Sequence, residues 1–352
     1  MLNKILFKIF GLFDAIKDFL FTWGIKILLG LFILVIIHNV ITISEVSSKY
    51  TGQYKTLIPV YQDEDKFMNM YTIGEGPKTV VILAGFGSQS PIIQYKTIAE
   101  GLKDQYKVVI VEYFGYGYSM SMWKHPRINE NIVNEVKTAL ENFGVSGPYV
   151  LMPHSHSTLY AMKFQQMYPE LVQGVVSIDG LYPAEINEEY YQIKQREEVS
   201  NINLTSIFEL TGFERILSYV REDIFYIKTM REMPDMFGKE EISVYRNRIG
   251  SNYLSRTMVR EINKLADNVN EMKDYKYPDY VPVLHILASD TVKEYEDVKT
   301  KGEASVNLYD LADTMITNPL IQRIEIIEGN HMLQFTNPTD LVASIKSFLA
   351  SF

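Results

Sequence analysis

The chain has 352 residues, 47% hydrophobic and 22% charged, a balance that excludes a disordered protein and leaves room for one large domain plus extra segments or for two ordinary domains. Its 43 acidic against 34 basic residues, a formal charge of −9, argue against nucleic acid as a main partner. With no cysteine, disulfides, thiolate metal sites and a cysteine nucleophile are all excluded.

The first segment, residues 1–22, places Leu2, Ile5, Leu6, Ile9, Phe10, Phe13, Ile16 and Leu20 on one helical face, with Lys4, Lys8, Asp14 and Lys17 on the other. That pattern predicts a helix lying in a membrane surface. Residues 23–43 follow, uncharged from 27 to 43. With Lys26 reaching back to the interface, this segment attains the roughly 20 residues that span a bilayer. No small-x-small cleavage site comes after it, so a transmembrane helix is expected rather than a removed signal. Lys4, Lys8, Lys17 and Lys26 all precede the span, which predicts a cytoplasmic N-terminus and an extracytoplasmic globular domain. Residues 44–55 read as a polar tether to a domain spanning 56–352.

Two alternating segments, 56–61 and 67–73, flank the acidic turn Asp63-Glu64-Asp65 and predict an opening hairpin. Continuous apolar strands then alternate with helical patterns: strands at 79–84, 107–112, 149–152 and 174–178, helices at 92–102, 128–143 and 158–168. The alternation stops at about 181 and returns with strands at 281–288 and 321–327, a helix near 305–317 and a last helix from 338 to the end. Such alternation predicts an α/β fold, a mostly parallel sheet with helices on both faces. Residues 181–278, rich in charge, Tyr and Met, read as a helical cap over the strands' C-terminal edge, where open α/β sheets bind ligands.

On that edge the sequence places Gly85-Phe86-Gly87, then Ser155 at a strand-to-helix corner, then Asp179, Asp290 and His331. The segments LAGFGS at 83–88, VEYFGYGYS at 111–119, SGPYVLMPHSHSTLYAMKF at 146–164, YPELVQGVVSIDG at 168–180, VPVLHILASD at 281–290 and EGNHMLQFTNP at 328–338 resemble, in kind and in order, those of the α/β-hydrolases. The elbow departs from the usual Gly-x-Ser-x-Gly at both glycines, which are Pro153 and Ser157 here.

The resemblance implies roles. Ser155 is the nucleophile, His331 the base and Asp290 the acid, in the order Ser, Asp, His. Asp179 is its rival, otherwise a turn residue. The backbone N–H groups of Phe86 and His156 form the oxyanion hole. His154 and His156 flank the serine without a third ligand beside them, so no metal is expected, and the chemistry needs no cofactor. The expected protein is a membrane-anchored serine hydrolase acting on small or lipid-like carboxylic esters. One alternative is an aminopeptidase resembling the proline iminopeptidases, for which Glu188, Glu189, Glu197 and Glu198 are the candidate amine ligands. The other is a non-catalytic surface binding module on the same scaffold. Met230, Met233, Met236 and Phe237 are expected to be cap core more than ligand contacts.

Overall fold

A computed structural model describes residues 21–38, 54–61, 65–206, 213–252 and 254–352, with isolated positions 11, 17, 19 and 41. The expected surface helix at 1–22 and the tether at 44–55 lie almost wholly outside these residues, as do Asp63 and Glu64 of the acidic turn. Among the described residues one helix is long and apolar enough to cross a membrane: α1 (Phe21–His38), with a mean hydropathy of 2.1 and no part of it buried.

Among the described residues the domain contains eight strands, β1 (Leu57–Tyr61), β2 (Lys66–Ile73), β3 (Thr79–Leu83), β4 (Lys107–Glu112), β5 (Tyr149–Pro153), β6 (Val172–Ile178), β7 (Val283–Ala288) and β8 (Gln322–Ile327). They form one sheet in the order β1-β2-β4-β3-β5-β6-β7-β8. The opening hairpin is antiparallel to β4, and every later pairing is parallel. Alternation along each strand sends Val80, Ile82, Val108, Ile110, Val150 and Met152 to one face and Val81, Leu83, Val109, Val111 and Leu151 to the other. Both faces are covered, which is why these strands read as unbroken apolar runs.

The helices between β3 and β6 are α2 (Pro91–Gln94), α3 (Lys96–Leu102), α4 (Asn129–Asn142) and α5 (Thr158–Met167). In α4, Ile132, Val133, Val136, Ala139 and Leu140 are all buried, a helical stripe laid on the sheet. Each of its fully buried Ile, Val and Leu side chains contributes about 1.5–3 kcal/mol relative to exposure.

Between β6 and β7 the described residues form α6 (Glu189–Thr205), α7 (Phe213–Val220), α8 (Ile227–Arg231), α9 (Lys239–Asn252), α10 (Arg256–Ile262) and α11 (Leu265–Met272). The chain closes with α12 (Ser289–Thr300), α13 (Leu308–Asp313), α14 (Leu333–Thr336) and α15 (Pro338–Leu349). The helix α12 was not expected from the sequence, which places the next helix after β7 near 305–317. Met230 and Phe237 are buried in the hydrophobic core, as expected of them.

The inserted helices are held over the sheet by buried polar ties. Glu112, at the end of β4, accepts from the Tyr118 N–H at 2.6 Å and from Asn69 Nδ2 at 2.9 Å. Gly117, at φ +47°, closes over it: a Cβ there would lie 2.0 Å from the carboxylate, so no other residue fits the turn. Arg248 of α9 donates to the Gly117 carbonyl at 3.1 Å and lies 4.3 Å from the Tyr118 ring. On the other side, Tyr116 and Tyr160 both donate to Glu261 Oε1 of α10, at 2.9 and 2.7 Å, tying that helix to α5.

Candidate active site

The chain leaves β5 through His154, which bridges to Ile178 of the next strand, and turns at Ser155 into a short 3₁₀ segment that runs on as α5. Ser155 has φ +56°, a left-handed conformation that costs a non-glycine residue about 1–2 kcal/mol. Strain of this kind collects at functional positions, where surrounding structure holds it. The room for the turn comes from glycines outside the expected motif. A Cβ on Gly85 would lie 2.7 Å from His154 Nδ1 and 3.3 Å from Ser155 Cβ, and one on Gly180 would lie 2.6 Å from Thr158 Oγ1. Ser157 does not merely crowd the corner. Its hydroxyl donates to the Ala84 carbonyl and accepts from Tyr113 at 3.1 Å, fastening the elbow to the end of β3.

His331 sits in the loop between β8 and α14, with its side chain 45% exposed. Its Nδ1 lies 2.7 Å from Asp179 Oδ2, so the acid beside the histidine is Asp179, at the end of β6, and not the expected Asp290. The reason is α12. Because a helix starts at Ser289, Asp290 falls in its first turn, exposed, where a carboxylate is favoured by the helix dipole. Its backbone N–H donates to the Gly329 carbonyl at 3.1 Å. Asp179 is buried and receives two further donors, the Ala288 N–H at 2.8 Å on Oδ1 and the Thr291 hydroxyl at 2.6 Å on Oδ2. These three contacts fix the direction of the carboxylate.

Ser155 and His331 face the same two cavities. The larger, about 330 Å³, is lined by Asp179, Glu185, Tyr191, Lys194, Glu198, Glu294 and Tyr295 among others. Burial pushes the Glu185 carboxyl up to about 7. The smaller, about 180 Å³, is lined by Phe86, Ile224, Phe225, Tyr226, Tyr245 and Met332 beside Gly85 and Gly87. The expected oxyanion loop thus stands next to Ser155. The Gly85 N–H is already committed to Tyr95 Oη at 3.0 Å, which leaves Phe86 as the next donor along the turn. His156, the residue after the serine, is buried between Phe86 and Tyr160 with ring centroids at 6.0 and 5.4 Å, and burial lowers its imidazole to about 4.

Tyr95 and His154 form a connection that the sequence does not announce. Tyr95 Oη lies 2.8 Å from His154 Nδ1, and His154 Nε2 lies 2.9 Å from the carbonyl of His331. A carbonyl only accepts, so Nε2 carries the proton, and Nδ1 accepts from the tyrosine. Burial lowers His154 to about 3, so the ring stays neutral and keeps this tautomer. The loops after β3, β5 and β8 are thereby joined through one imidazole.

Residues 78–197 match the family model for the α/β-hydrolase fold. Over 223 residues, or 63% of its length, the chain is 25% identical to the uncharacterized protein YbdG of Bacillus subtilis (strain 168). The match takes in 65% of that relative, less than two thirds of it. Among solved structures, a laboratory-evolved variant of potato epoxide hydrolase superposes with a TM-score of 0.62 at 16% identity, over 84% of this chain and 99% of its own. A Bacillus megaterium epoxide hydrolase in complex with an inhibitor superposes with a TM-score of 0.58 at 16% identity, over 84% of this chain and all of its own.

Proposed function

The chain is an α/β-hydrolase-fold protein, and on that premise we propose that it is a membrane-anchored serine hydrolase of carboxylic esters. The observation that carries the reading is the Asp179–His331 pair at 2.7 Å opening on the same cavities as a serine in a strained turn. His331 Nε2 takes the proton as Ser155 Oγ attacks the ester carbonyl, and Asp179 stabilises the imidazolium that forms. The N–H groups of Phe86 and His156 receive the oxyanion. The imidazolium returns its proton to the leaving alcohol, and an acyl-serine remains. Water, deprotonated by the same imidazole, then releases the acid. Ser155 lines both cavities beside His331, and its hydroxyl meets Nε2 when bound substrate orders the pair. The helix α1 anchors the domain to a membrane.

The epoxide hydrolases among the structural neighbours raise a different substrate class. A serine oxygen opening an epoxide would leave an ether, which water at an imidazole base does not cleave, whereas attack on a carbonyl leaves an ester that turns over. Ser155 therefore favours the carbonyl. The aminopeptidase reading gains one observation: Glu198 lines the larger cavity together with Glu185 and with Glu294, which is ion-paired to Lys194, an acidic setting suited to a substrate amine. Glu188 instead accepts from Ser305.

Full-length protein in detergent is expected to be labelled by a fluorophosphonate and to hydrolyse p-nitrophenyl esters faster than aminoacyl anilides. Absence of labelling would sink the serine-hydrolase reading, and faster anilide cleavage would transfer it to the peptidase. His154 acts as a positioning residue. His154→Leu cuts both ties and should lower kcat by roughly 10²-fold with a smaller change in KM, as displaced catalytic groups do. His154→Gln, which can both donate and accept, should retain more of the rate. Equal losses in the two variants would contradict the role.

A further inference from the structure

The helix α7 has its polarity reversed. Phe213, Ile216, Tyr219 and Val220 are 56%, 41%, 59% and 74% exposed, while Glu214, Arg215 and Ser218 are buried. On a helix these two sets occupy opposite sides, so the apolar stripe faces out. The inward set is engaged with α9. Arg215 donates to the Asn247 carbonyl at 3.5 Å, Arg246 donates to the Ser218 carbonyl at 3.4 Å, and Gly250 leaves the space that Arg215 fills, since a Cβ there would lie 2.6 Å from its Nε. Turning the helix over would strand these buried polar groups, so the outward apolar face is a fixed feature of the cap. Ile224, 46% exposed, continues the face and lines the smaller cavity beside Ser155. Contiguous apolar surface of this kind marks an interaction site.

We propose that this face of α7 docks on the lipid bilayer, an inference that rests on the membrane-anchored reading above. Three observations select a bilayer over another occupant. The same chain carries α1, no part of it buried and apolar enough to cross a membrane. Residues 39–53 separate it from Tyr54, a stretch that reaches at most about 55 Å fully extended, so the bilayer is held within a domain's breadth. And the chain enters the domain against α9, the helix that also carries α7: Tyr54 is buried and donates to Glu241 Oε1 in the first turn of α9 at 3.0 Å. Docked this way, the apolar stripe sits in the headgroup–acyl boundary, and the smaller cavity receives apolar substrate from the membrane side by way of Ile224.

The chain has no cysteine, so a single introduced one places a single fluorophore. Full-length Val220→Cys, Leu31→Cys and Leu320→Cys, each carrying an environment-sensitive label, are reconstituted in phosphatidylcholine vesicles with and without brominated lipid. Leu31 lies in α1, and Leu320, 90% exposed, precedes β8 at the end of the sheet opposite the site. Brominated lipid should quench the labels at 31 and 220 roughly twofold, the depth expected of an interfacial face, and leave 320 unchanged. Quenching at 31 with 220 as exposed as 320 overturns the docking while the anchor stands. A label at 220 shielded from an aqueous quencher yet untouched by brominated lipid means that a protein surface covers the face, which also overturns it. No quenching at 31 removes the anchor; docking then survives only if 220 is quenched by itself.

Discussion

An Asp179→Asn variant is expected to lose about 10⁴-fold in kcat, as a triad acid does when its carboxylate becomes an amide, whereas Asp290→Asn should stay within about twofold, as surface changes do. The asymmetry follows from the donors. Asp179 accepts from the Ala288 N–H and the Thr291 hydroxyl and lies 2.7 Å from His331 Nδ1. An asparagine must turn its NH₂ toward one of these donors. Where it faces His331, the ring accepts at Nδ1 and presents a protonated Nε2, unable to take the serine proton. Asp290 is exposed at a helix start, and among the described residues its carboxylate has no such partner to mislead. Steady-state rates of both variants on one activated ester decide the matter. A large loss in Asp290→Asn with Asp179→Asn active would reverse the assignment.

Ser155→Ala should lower kcat by about 10⁶-fold, as loss of the nucleophile does in a serine hydrolase, and abolish fluorophosphonate labelling. Ser155→Gly should be equally inactive yet more stable than the alanine variant by about 1 kcal/mol, because at φ +56° only glycine escapes the clash of Cβ with the following carbonyl. Denaturant melts of the two variants measure the difference. Equal stabilities would mean that the turn stores no strain, and residual labelling of either variant would point to a different nucleophile.

Much of the architecture was legible because the strands are buried on both faces and so read as apolar runs, and because Ser155 and His331 lie where such runs end. The acid was not. Ser289-Asp290-Thr291 suits a loop and a helix start equally, and only the start of α12 decides that Asp290 points outward while Thr291 turns back to Asp179. Tyr95 left no signal either: it sits in the bend between α2 and α3, and its value lies in a hydroxyl 2.8 Å from His154 Nδ1. For α7 the period was visible in the residues but its direction was not. A stripe of Phe213, Ile216 and Val220 is normally assigned to a core, and it takes the buried Arg215 and Ser218 to show which side faces in.

The sheet order has a consequence for how this protein would fail. Ser155 and Asp179 follow β5 and β6, adjacent strands in the middle of the sheet, further joined by the bridge between His154 and Ile178. His331 follows β8, the outermost strand, which is only partly buried along its length. Edge elements open locally at a fraction of the global unfolding free energy. Fraying of β8 with α14 would carry the His331 imidazole away from Ser155 and Asp179, which both stay in place, so under the proposed mechanism activity would vanish reversibly on warming well before the domain melts.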